Sequence, residues 1–132
     1  MAEGLSTTLV SNLLNTLRAA GAAFGPVAAE YVQLHTANPG AAGTTAVSAG
    51  SATRVICTHA ASAAGSALAL TGTNPAWTNG GTSETVTDVS VWTAITGGTF
   101  LFSVALTASK AWASADVITL NSLGVSLGAQ AS

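Results

Sequence analysis

Apolar and polar positions along the chain alternate with two different periods, and the change of period divides it. From Leu5 to Ala20, Leu5, Leu9, Val10, Leu13, Leu14 and Leu17 recur at helical spacing, so an amphipathic helix is predicted there. Ser6, Thr7 and Thr8 offer an N-cap and Gly21 a stop, while Ser11, Asn12, Asn15 and Arg18 form an opposite face that is polar but almost uncharged. Such a helix either covers one side of its own domain or docks on a partner. Ala22 to Ala29, with Gly25-Pro26, reads as a connector.

Beyond it the period falls to two. Tyr31 to His35 is a short strand ended by Asn38-Pro39-Gly40, and Arg54 to His59 and Ser66 to Thr71 are further strands. Ala41 to Thr53 shows no periodicity, and a loop of that length suggests a task such as lying across a neighbour. The strongest signal runs from Thr85 to Thr107: two β-branched and aromatic runs meet at Gly97-Gly98, as in a β-hairpin. Phe100, Phe102, Val104 and Leu106 share one face of the second run. Thr87, Val89 and Val91 share one face of the first, and Asp88, Ser90 and Trp92 the more polar other. Gly72 to Trp77 reads as a turn with an anchoring aromatic, Asn79-Gly80-Gly81 as a second turn, and Lys110 to Ser114 as a loop. Asp116 to Leu127 is expected to add a strand beside the hairpin, with a bulge or turn at Asn121-Ser122. The expected fold is mainly β: an antiparallel β-sandwich or jelly-roll-like domain with one N-terminal amphipathic helix. Residues 1–30 would form helix and connector and residues 31–132 the sandwich, within one structural domain.

Composition sharpens this. Only 6% of the 132 residues are charged, with Arg18, Arg54 and Lys110 the only cations and a formal net charge of −2. An ordinary globular chain has about 25%, so this surface is expected to meet other protein rather than rely on charge for solubility. Scattered cations argue against nucleic-acid and membrane-surface partners. No signal peptide is read at Met1-Ala2-Glu3-Gly4, nor any stretch able to span a bilayer. A single Cys57 excludes an internal disulfide and suits assembly in a reducing cytoplasm.

Candidate chemistry is sparse. His35, Cys57 and His59 are the only soft ligands or nucleophile–base candidates, and Cys57 and His59 share a strand face but lack a third ligand. A neutral core or interface role is expected for them. Glu84 and Asp88 would stand ~13 Å apart on an extended strand, too far for an acid–base pair, and read as solvated or capping residues. Trp77, Trp92 and Trp112 could stack sugars but read as core or interface anchors. No cofactor or metal is expected, and the chain reads as non-enzymatic.

Five blocks carry a resemblance: Tyr31 to Gly40, Gly72 to Trp77, Val89 to Trp92, Gly97 to Leu101 and Ala105 to Thr107. Together with the leading helix they resemble a small structural virion protein of tailed bacteriophages, notably those of actinobacteria, whose members carry capsid-decoration, minor-structural or tail-fibre labels. The pattern departs at Asp88, where a His is expected, and at Thr93, where an Asp is common. The resemblance implies a phage structural protein. With the small single domain, the charge-poor surface, the loop Ala41 to Thr53 and the leading helix, the expected role is a capsid decoration or minor capsid protein, homo-oligomeric, bound to the major capsid protein on the outside of the head and assembled in the host cytoplasm. The alternative it implies is a tail fibre or tail tip subunit. Leu9, Leu13, Leu17, Trp77, Trp92 and Trp112 are the candidate interface residues.

Overall fold

The computed structural model describes residues 3–18, 25–62 and 67–127. The fold is mainly β with one N-terminal helix, and every strand pair is antiparallel. Strand β1 (Gly4–Leu5) leads into helix α1 (Thr7–Thr16), followed by β2 (Glu30–His35), β3 (Val55–Ala60), β4 (Ala69–Thr71), β5 (Ala76–Thr78), β6 (Glu84–Trp92), β7 (Phe100–Trp112) and β8 (Val117–Thr119). Six strands form one curled sheet in the order β1-β7-β6-β2-β3-β4, and β5 pairs with β8 in a second, small sheet. Trp77 of β5 and Ile118 of β8 join Val32, Leu34, Val86, Val89, Val91 and Phe102 of the large sheet in one core. Each such side chain contributes about 1.5–3 kcal/mol on burial, so the small sheet is held by its apolar face.

The hairpin is the spine of the large sheet. Val91 pairs with Phe102 and Val89 with Val104, and Gly97 and Gly98 take the positive φ that the connecting loop requires. β7 runs further than the sequence pattern indicates: Lys110 and Trp112 pair with Val86 and Glu84, so the segment expected to be a loop from Lys110 is strand as far as Trp112. Its last residues alternate without burying an apolar face until Trp112, and pairing with β6 holds them in place. A register shift between Val86 and Asp88 absorbs the extra length.

Two further expectations change. β8 is only three residues long and pairs with β5 rather than with the hairpin, because Trp77, expected only as an anchor after a turn, itself lies in a short strand facing Ile118. After β8, residues 120–127 continue outside any ladder, with Leu120 and Leu123 buried and the Leu68 amide donating to Val125 O at 2.9 Å.

The polar side of β6 is also buried. Asp88, Ser90 and Trp92 are at most 6% exposed, and the aperiodic segment 41–53 folds back on its own domain. Val47 bridges to His35 and the Ser48 amide donates to Leu34 O at 2.9 Å, so this segment extends the ladder on the side of β2 where β3 ends. α1 is capped by Ser6, whose Oγ accepts from the Leu9 amide at 3.1 Å and donates to Phe100 O at 2.7 Å. One serine therefore both starts the helix and ties it to β7. A helix of ten residues has little stability alone, so this tie matters. The expected stop at Gly21, residues 22–24 of the connector and the first residue of the Ser66–Thr71 strand fall outside the described residues.

Candidate functional site

The six candidate interface residues separate into two groups. Trp77, Trp92 and Trp112 are 3%, 6% and 3% exposed, so their rings are taken up inside this chain. Each indole N–H has a partner: Trp77 donates to Thr53 O at 2.9 Å, Trp92 to Ser90 Oγ at 2.8 Å and Trp112 to Glu84 Oε1 at 3.2 Å. Leu9 packs half-buried against the core, whereas Leu13 and Leu17 are 36% and 83% exposed. No residue of α1 is buried, and Leu14, absent from the sequence-based set, is 61% exposed. The helix thus turns an apolar stripe to the outside of the chain.

The carboxylates stand in structural roles. Glu84 accepts hydrogen bonds from the Ala49 and Gly50 amides at 3.0 Å each, from Ser48 Oγ and from Trp112 Nε1. Burial alone pushes its carboxyl up, but these four donors outweigh it and hold Glu84 below its ordinary value. Glu84 thus caps the backbone amides of Ala49 and Gly50, in keeping with the capping reading of its sequence position. Asp88 is 4% exposed rather than solvated, accepts from Thr87 Oγ1, and its bond to Glu3 is the first cause of the raised Glu3 carboxyl. Glu3 also accepts from the Ala105 amide at 2.7 Å, which ties the chain's start to β7.

His35 is fully buried and satisfied at both nitrogens. Thr45 O, 2.7 Å from Nδ1, can only accept, so Nδ1 carries the proton. Ser90 Oγ, 2.7 Å from Nε2, accepts from Trp92 and therefore donates to the imidazole. Burial lowers the His35 pKa, outweighing the bond to Thr45 that raises it. This neutral relay locks β2 to β6 and offers no reactive group to solvent.

Cys57 and His59 lie on one face of β3, as expected, but the structure adds a third member. Glu30 pairs directly across from Cys57, and its Oε2 lies 2.5 Å from His59 Nδ1. Ligand atoms of all three lie within 4.8 Å of one another. Sequence spacing gave no access to Glu30, because it is brought in by strand register.

A groove of about 610 Å³ opens between β7 and the segment around β8, with Val104, Leu106, Leu120 and Leu123 among its walls; among the described residues Lys110 is its only ionisable side chain, so they supply no acid–base pair there. No helix is long and apolar enough to cross a membrane among the described residues.

No curated protein sequence matches the chain. A family model described as podophage GP4 fiber I protein gp80 matches residues 4–128, which takes in α1, both sheets and the segment after β8. That family is one of structural rather than enzymatic proteins. Of the two positions in the particle implied by the sequence resemblance, the match supports the fibre over the head coat. The chain, a virion structural protein, belongs to the phage fibre family of gp80.

Proposed function

We propose that this protein is a subunit of a phage tail fibre that self-associates through α1, with the helix as the assembling element and the two sheets as the β body. The observation that carries this reading is the apolar stripe of α1: Leu13 and Leu14, with Leu17 at the C-cap, are exposed on a helix none of whose residues is fully buried, in a chain with only 6% charged residues. Isolated stripes of this kind cost free energy in water and are relieved by packing on an equivalent stripe. Burial of apolar surface, not ion pairing, would hold the copies together, so association should persist at high ionic strength.

The low surface charge also suits a head-decoration protein bracing the major capsid protein, and copy number separates the two. Quantitative mass spectrometry of purified virions split into heads and tails is the test. A fibre subunit is expected in the tail fraction at a handful to dozens of copies per virion. Recovery with heads at hundreds of copies would replace the fibre reading with the decoration one.

A further inference from the structure

We propose that Glu30, Cys57 and His59 form a binding site for a zinc-type divalent cation that clamps β2 to β3. The three side chains come from adjacent strands: Glu30 is the register partner of Cys57, and His59 follows two residues on, on the same face. Their ligand atoms all lie within 4.8 Å of one another. Around a tetrahedral ion with bonds of roughly 2.0–2.3 Å, ligand atoms stand about 3.3–3.6 Å apart, so small side-chain rotations close the set. His59 and Glu30 would open from 2.5 Å while the sulfur moved in.

A second, independent feature points the same way. The His59 side chain is 4% exposed, and its Nε2 is buried with no hydrogen-bond partner among the described residues. A buried polar atom left unpaired costs about 1–3 kcal/mol, and a ring with one nitrogen to spare can give either to a cation. Thiol, imidazole and carboxylate together favour zinc over magnesium or calcium, which take oxygen ligands. Three protein ligands leave a fourth position for water. Without an ion, burial and then the Glu30 charge push the Cys57 thiol up to about 12. Binding therefore has to displace the thiol proton, and affinity should rise with pH.

The test uses the full chain, without a histidine tag, stripped with a chelator and titrated with Zn²⁺ by calorimetry and with Co²⁺ by absorption. One ion per chain is expected, with tetrahedral d–d bands and a thiolate-to-cobalt charge-transfer band in the near ultraviolet. Zinc at a hundredfold excess over Kd should raise Tm by roughly 5–10 °C. Cys57→Ser, close in size to the native residue, should abolish the charge-transfer band and weaken binding at least tenfold, and His59→Ala should do the same where circular dichroism shows it folded. Absence of the cobalt bands and of the Tm shift in the native chain overturns the proposal. So does a spectrum and stoichiometry unchanged in Cys57→Ser.

Discussion

The guanidinium carbon of Arg54 lies 3.8 Å from the ring centroid of Trp92, and the same guanidinium donates from Nη1 to Ala94 O at 2.9 Å and Gly97 O at 2.6 Å. One cation just before β3 thus stacks on the last residue of β6 and closes the loop that leads to β7. Trp92 in turn meets Phe100 with ring centroids 5.4 Å apart, so both ends of the loop are gripped. In a chain with three cations, this one is committed to the fold.

Arg54→Lys keeps the charge but loses the planar fork that serves two carbonyls and a ring at once. The expected cost is about 1–2 kcal/mol. Urea unfolding followed by tryptophan fluorescence measures it, and an unchanged midpoint would show the clamp to be idle.

His35 gives the fold an acid-side weakness. Its folded pKa lies below the ordinary value of 6.5, so the unfolded chain takes up the proton first as pH falls. The stability His35 confers is complete above about pH 6.5 and is lost progressively below it, toward its lowered folded value. Glu84 adds a second loss starting below its ordinary value of 4.5, because its folded pKa is depressed. Denaturation midpoints at a series of pH values should therefore decline from pH 6.5 downward, and His35→Asn should flatten the upper part of that decline.

Glu84→Gln leaves one oxygen where two accepted, and places an amide beside the Ala49 and Gly50 donors. A loss of about 1–3 kcal/mol is expected, with the segment 41–53 released before the sheet. Limited proteolysis should cut the variant there at protease levels that leave the native chain intact.

Two glycines separate backbone strain from steric conflict. Both Gly43 and Gly97 have positive φ, but a Cβ on Gly43 would sit 2.6 Å from the Phe100 ring, whereas one on Gly97 meets nothing within 4 Å. Gly97→Ala should cost about 1 kcal/mol and Gly43→Ala roughly 2–4 kcal/mol. Equal shifts in thermal unfolding would contradict the packing of segment 41–53 on Phe100.

Elements with a sustained period were legible in the sequence: the leucines of α1, the alternation of β2 and the facing runs of the hairpin. β5 and β8 are three residues each, too short for a period to register, and their pairing depends on Trp77 meeting Ile118. The tryptophans illustrate a different limit. Residue type signals a large anchor but not whether its pocket is in the same chain, and here burial places all three in their own core. Leu14 belongs to the helical pattern but its 61% exposure is not legible there, because which part of an apolar stripe the domain leaves uncovered depends on how the helix is docked. Glu30 shows the same dependence, since only strand register brings it beside Cys57 and His59.

Sedimentation equilibrium of the full chain beside a Leu14→Ser/Leu17→Ser variant bears most directly on assembly through α1. The native chain is expected to form a discrete oligomer that persists in molar NaCl, and the variant to be monomeric with an unchanged circular dichroism spectrum. A native chain that stays monomeric at high concentration, or a variant that associates as tightly as the native chain, would contradict it.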